Sequence, residues 1–217
     1  SQPRQAALSF LEASKMDFIP EIQEDAFYNY AKLQYQTSNG ALNNAIGALQ
    51  EYVTRYPNTT RCTEVSSYLA NIYASTKKYD EAIKAIEKLD TKSPELLRSY
   101  QRCTHYRAME YIENKQYKNA GKMLEKSMKY QLDPAIQLQN LYWKAEAEYR
   151  DGNYAKSATS FQVYHKASGV ESDPNYPISF YSAGYSAMRN DKYKDAQKHF
   201  EKFLTYKDKF ENKQYEA

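Results

Sequence analysis

His105, His165 and His199, with Cys62 and Cys103, are the side chains of this chain whose chemistry turns most readily to catalysis or metal binding. An imidazole acts as a general base or a ligand only where geometry brings it to a nucleophile, an orienting carboxylate or further ligands. The spacing here argues against that. His105 falls on the first helix of a helical pair, and His165 and His199 fall on second helices of neighbouring pairs, so the three are expected not to cluster and to serve as surface or packing residues. Two cysteines are too few for a disulfide framework, and no second pair exists to complete a zinc site. The sequence holds no GxxxxGKS/T, GxGxxG, HExxH or GxSxG. No enzyme is expected, and neither a cofactor nor a metal is implied.

The composition leans instead towards a modular array of small units. The chain has 217 residues, 41% of them hydrophobic, and carries 23 tyrosines. With a mean hydropathy of -0.90, much of its packing surface must come from amphipathic aromatic rings, which also argue against disorder. The 30 Lys and Arg against 27 Asp and Glu leave a net charge of +3, with the two signs interleaved and no basic block. A dedicated nucleic-acid surface is not expected. No apolar stretch approaches the length of about 20 residues that a membrane span requires. The start, Ser1-Gln2-Pro3-Arg4, is no signal peptide, although one removed before this numbering would leave the same start.

The elements that must position these rings announce themselves as a repeat. Pro20, Pro57, Pro94, Pro134 and Pro174 recur every 37 to 40 residues. Tyr79, Tyr117, Tyr154 and Tyr193 recur every 37 to 39, each followed three residues later by Ala82, Ala120, Ser157 or Ala196. Apolar positions follow helical spacing, as in Tyr79, Ala82, Ile83, Ile86 and Leu89, and the pattern predicts amphipathic second helices of about 15 residues. Another helical stretch precedes each, and short links such as Ser75 to Lys78 and Asp151-Gly152-Asn153 join the two into hairpins. No strand is expected. Cys62 and Cys103 map near the starts of adjacent first helices. Such axes lie about 8 to 10 Å apart, beyond the Cα separation of about 4.4 to 6.8 Å that a disulfide needs, so free thiols are expected.

Ala70, Tyr73, Tyr79, Ala82, Ile86, Leu89 and Pro94 fall without a gap at the spacing of the tetratricopeptide-repeat (TPR) family, which the chain resembles over nearly its whole length. Ala108, Tyr111, Tyr117, Ala120 and Leu124 follow it in the next unit, then Ala145, Gly152, Tyr154 and Phe161, then Gly184, Tyr193, Ala196, Phe200 and Phe203. The first unit, with Ala31, Tyr35, Ala45 and Leu49, has about two extra residues around Ser38-Asn39-Gly40. The resemblance implies a right-handed all-α solenoid of about five TPR-like hairpins, spanning residues 24–60, 61–99, 100–136, 137–175 and 176–210, with a partial leading helix at 5–20. The leading helix and the polar tail from Lys207 to Ala217 suggest an excerpt from a longer array. Tyr79, Tyr117, Tyr154 and Tyr193 are expected to wedge between helices, and Ala82, Ala120 and Ala196 to permit close approach.

In TPR arrays the first helices line the concave side, so the resemblance assigns a groove to their exposed positions. These are Tyr28, Asn29, Lys32 and Tyr35; Ser67 and Asn71; Arg102, His105 and Met109; Tyr142, Glu146, Tyr149 and Arg150; and Tyr181, Tyr185 and Arg189. Tyr and Arg are the types enriched at binding hot spots. The same rings equally suit covering neighbouring helices, and the residues leave both readings open. The family's carboxylate clamp is not reproduced: Asn71 is in place, but Ser67, Tyr106, Gln139 and Trp143 occupy other clamp positions. The expected function is a scaffold that binds a protein or peptide segment. A carbohydrate-binding module, since Tyr and Trp rings also suit sugar faces, and a structural spacer without ligand are the alternatives. In style the repeats resemble TPR proteins of the Gram-negative cell envelope, which implies a periplasmic or envelope-associated place, with the cytoplasm left open.

Overall fold

The computed structural model describes residues 2–16, 19–37, 42–89 and 92–206, and among them every regular element is a helix. After a leading helix α1 (Gln2–Ala13) come α2 (Pro20–Gln36) and α3 (Leu42–Arg55), α4 (Cys62–Ser75) and α5 (Tyr79–Glu87), and α6 (Pro94–Glu113) and α7 (Tyr117–Met128). Then follow α8 (Pro134–Arg150) and α9 (Tyr154–His165), a single 3-10 turn at Val170–Ser172, and α10 (Tyr176–Met188) and α11 (Tyr193–Leu204). The fold is all-α, in tandem helical hairpins. The second helices are shorter than the pattern suggests, α5 having only 9 residues. The expected turn at Ser38-Asn39-Gly40 and the tail from Lys207 lie outside the described residues.

The prolines act as helix starters. Pro20, Pro94 and Pro134 are the first residues of α2, α6 and α8, and Pro177 stands in the first turn of α10. At that position the missing N–H has no helical partner to lose and the fixed φ suits the helix. Pro57 and Pro174 lie in links between hairpins.

One backbone device closes the last four hairpins. Lys77, Lys115, Gly152 and Asp191 all have left-handed φ, between 57° and 79°. Each stands two residues before the tyrosine that opens the second helix. The next residue's N–H reaches back five positions: Lys78 to the Tyr73 carbonyl at 2.8 Å, Gln116 to Tyr111 at 2.8 Å, Asn153 to Glu148 at 2.9 Å and Lys192 to Ala187 at 2.9 Å. The left-handed residue itself donates three positions back, as Lys115 does to Ile112 at 2.9 Å. This is the Schellman closure, which satisfies carbonyls that the helix end would leave unpaired.

The chain divides within α6 into two compact units, Ser1–Cys103 and Thr104–Ala217. In the first unit α1 packs on α2, α2 on α3, α3 on α4 and α4 on α5, and the consecutive first helices α2 and α4 also touch. Phe27, Leu49, Tyr52, Val65, Ile86, Leu96 and Gln101 are its largest fully buried side chains among the described residues. Cys62 and Cys103 are free, and burial pushes the Cys103 thiol up to about 11. In the second unit α7 packs on α8, α8 on α9, α9 on α10 and α10 on α11, with α8 and α10 in direct contact. Its core gathers Tyr142, Ala145, Phe161, Tyr164, Val170 and Ala183.

Small residues let the helices of a hairpin close on one another. Ala70 and Ala82, Ala108 and Ala120, and Ala145 and Ser157 have no exposed surface. Ser157 keeps the contact while carrying a hydroxyl, because its Oγ donates to the Ala145 carbonyl at 2.9 Å and pairs with Ser186 Oγ at 2.9 Å. In the last hairpin the small residue is Gly184, and a Cβ there would stand 2.6 Å from the Phe200 ring.

A side chain in the left-handed region costs about 1 kcal/mol relative to glycine, partly offset by the greater freedom glycine has when unfolded. Lys115→Gly should therefore stabilise the second unit by about 0.5 kcal/mol. By the same balance Gly152→Ala should destabilise it by about 0.5 kcal/mol, since a Cβ there meets nothing within 4 Å and adds no clash. Denaturant midpoints for the two variants, moving in opposite directions, are the expected result; a shift of the same sign in both would contradict the closure.

Candidate partner-binding site

The groove positions of the first unit are drawn into an internal network. Glu64, which the repeat frame does not single out, is its centre. Its carboxylate accepts from Tyr28 Oη at 2.8 Å, from Lys32 Nζ at 3.1 Å and from Tyr68 Oη. These donors, Tyr68 first, hold the carboxyl below its ordinary range against the opposing effect of burial. Tyr28 is buried, with the Arg61 guanidinium over its ring at 4.6 Å. Tyr35 stacks on Tyr68 with centroids 4.5 Å apart, and Asn29 bonds back to Asp25 on its own helix. Asn71 and Arg102 are exposed, and Asn71 Oδ1 lies 3.5 Å from Ser99 Oγ.

His105 is no groove residue: it is 3% exposed, and its Nδ1 lies 2.8 Å from Asn140 Oδ1. Asn140 passes the chain of polar contacts to Ser127 Oγ at 2.8 Å. Burial pulls the His105 imidazole below its ordinary value, with the Asn140 contact opposing. The side chain points into the helix packing because a neutral imidazole satisfies a buried amide there.

The second unit brings five expected residues to one place. Tyr142, Glu146, Tyr149 and Arg150 of α8 and Tyr181 of α10 line a cavity of about 450 Å³, completed by Tyr117 of α7 and by Ile178 and Ser182 of α10. Helical spacing explains the α8 set, since positions 142, 146, 149 and 150 stack on one face. Glu146 is 4% exposed. Its Oε1 accepts from Arg150 Nε at 2.7 Å, whereas its buried Oε2 has no hydrogen-bond partner among the described residues. Arg150 is held above its ordinary value by Glu146 although burial opposes it. Tyr142 and Tyr149 have hydroxyls pushed up, first by burial and then by the Glu146 charge.

Tyr142 does double duty, with its ring in the core against Trp143, Phe161 and Tyr164. Tyr185 and Arg189 are outside the lining. Tyr185 packs edge-on to Phe200 at 5.3 Å, and Arg189 lies over the Tyr154 ring at 5.9 Å. Tyr117, Ile178 and Ser182 escape a reading confined to exposed first-helix positions. Tyr117 opens a second helix and enters the site beside Arg150 of the following hairpin, both lining the cavity.

The wedge reading of the tyrosine series needs correction at its last member. Tyr79, Tyr117 and Tyr154 are half-buried, but Tyr193 is 65% exposed and its hydroxyl reaches only the adjacent Asp191, at 2.9 Å, among the described residues. Tyr154 gains cover from the hairpin that follows, with Arg189 over its ring at 5.9 Å.

The histidines also depart from expectation, since His165 and His199 do come together, with ring centroids 5.7 Å apart. Successive second helices bring them there. His165 stacks on Phe180 at 4.2 Å, and its Nε2 lies 2.8 Å from Ser179 Oγ. No three His, Cys, Asp or Glu side chains gather as metal ligands among the described residues. Burial first, and then the His199 charge, lower His165 to about 4; burial lowers His199 as well, with Asp195 opposing. Both rings are therefore neutral in the folded state at pH 7, and the unfolded chain takes up more protons as pH falls below 6.5. Stability should fall between about pH 7 and pH 4, by about 2 kcal/mol at pH 5 from His165 alone. Melting curves across that range should show His165→Gln losing less than the parent; equal losses would rule the ring out as the cause.

Residues 25–59, which hold most of α2 and α3, match the model of a tetratricopeptide repeat. Among solved structures the chain is similar to YrrB, described as a TPR protein with an unusual peptide-binding site, at 18% identity and a TM-score of 0.48, covering 92% of each chain. It is similar also to MamA of Desulfovibrio magneticus RS-1 at 18% identity and a TM-score of 0.41, covering 86% of this chain and 96% of that one. A MamA RS-1 double mutant gives 19% and 0.44, with 89% and 97% covered. No curated protein matches the sequence. No described helix is long and apolar enough to cross a membrane.

Proposed function

We propose that this tetratricopeptide-repeat chain is a protein–protein interaction scaffold that holds a partner segment in the α8–α10 cavity. One observation carries the reading. Tyrosines from three successive hairpins converge on a cavity that also holds a buried, half-satisfied carboxylate. A ring buries a large area while ordering few rotatable bonds, which makes Tyr an economical anchor. Tyr181 packs on Tyr185 and Phe203, with ring centroids at 4.8 and 5.5 Å, and still stands 39% exposed beside the opening. The first unit is less apt for the same task, since Tyr28, Lys32 and Tyr35 are already engaged by Glu64 and Tyr68.

The test is selection from a random heptapeptide library on the parent protein, followed by affinity measurement on variants. Tyr149→Ala and Tyr181→Ala should each cost about 2 kcal/mol, more than tenfold in Kd. Val163→Ala, at an exposed position of α9, should change nothing. Circular-dichroism melts must show both tyrosine variants folded. A library that enriches no peptide, or peptides that bind the folded variants as well as the parent, would remove this site from consideration.

A further inference from the structure

Glu146 is only half answered by its surroundings. A carboxylate offers acceptor sites on both oxygens, and an ionised acceptor withdrawn from water without a donor is a costly arrangement that folded proteins seldom keep. Arg150 supplies Oε1 alone, at 2.7 Å, and Oε2 is buried with no partner among the described residues. The contrast lies in the same chain, where Glu64 collects Tyr28, Lys32 and Tyr68.

The surroundings of Glu146 suit one kind of donor. Tyr117, Tyr142, Tyr149 and Tyr181 form the walls, and the cavity of about 450 Å³ has room for a long side chain. Ring faces carry negative potential and attract cations. The guanidinium of Arg150 is already committed to Oε1, and its side chain is 46% exposed, at the rim. An anionic side chain entering the cavity would meet a buried like charge, whose repulsion the low dielectric strengthens. An apolar one would leave the buried Oε2 without a donor. A cationic one supplies the donor and faces the rings.

We infer that the cavity takes the side chain of a lysine or arginine carried by the partner segment, its methylene stem lying along the tyrosines and Glu146 turning Oε2, which is sealed from water in the free chain, to accept from its N–H. This rests on the reading of the cavity as the partner site and specifies what that site recognises. It differs in sign from a carboxylate clamp, because the deep charge of this groove is an acid.

The test starts from heptapeptides selected on the parent protein and depleted on the Tyr149→Ala/Tyr181→Ala double variant, so that only groove-dependent binders remain. They should share a basic position. Exchanging that lysine for norleucine, or that arginine for citrulline, should weaken binding at least tenfold. Glu146→Gln should weaken the original peptide by a similar factor and make the protein indifferent to the exchange. Groove-dependent peptides without a basic residue, or peptides that tolerate the exchange on the parent protein, overturn the inference and leave the partner site standing. The absence of any groove-dependent peptide overturns both. Should Glu146→Gln fail to fold, the norleucine and citrulline exchanges on the unaltered protein decide the matter alone.

Discussion

A hydrogen bond that reaches five residues back across a left-handed turn sets the geometry of the last four hairpins. It fixes the number of residues between the two helices, and so fixes which face of the second helix meets the first. A single inserted residue would rotate the second helix by about 100° and turn its small residue away from the crossing. The pairs Ala70 with Ala82, Ala108 with Ala120, and Ala145 with Ser157 keep one spacing because the turn keeps one length. Three of the four left-handed positions are Lys, Lys and Asp, so the closure is strong enough to hold side chains where glycine would be at ease.

The candidate site follows from this regularity and from one departure from it. With the crossings fixed, positions 142, 146, 149 and 150 of α8 and 178, 181 and 182 of α10 face a common space. In the first unit an acid on a first helix is closed over by donors from two helices. Glu146 has its arginine on one side and, among the described residues, no donor on the other. Rings and a carboxylate are present in both units; the difference is the number of donors within reach, and that number separates a packed network from a cavity with chemistry left over.

Much of the fold was legible in the sequence because its signals are local. The tyrosine that opens each second helix and the small residue three positions on follow from helical spacing. Pro134, Pro94 and Pro20 marked helix boundaries, although they begin helices where the pattern alone gave only a break. The site was legible in part. Tyr142, Glu146, Tyr149, Arg150 and Tyr181 emerge from the repeat frame, but whether a first-helix residue faces a groove or a neighbour depends on the next hairpin. Spacing cannot tell that His105 pairs with Asn140, that Glu64 gathers the first unit's candidates, or that His165 meets His199 across successive second helices. Each of these is a contact between residues more than 30 apart in sequence, set by the rise from one hairpin to the next.

The cavity draws its walls from α7, α8 and α10, which belong to three consecutive hairpins. Repeat arrays unfold in proportion to how weakly neighbours hold one another, because each module touches only those beside it. A ligand seated across three modules adds a coupling that the bare chain lacks. Occupancy would therefore alter the manner of unfolding as well as its midpoint, converting hairpins that peel away singly into a block that yields at once. In a mechanical setting, such as a scaffold pulled by what it carries, that block would be the last part of the second unit to give way.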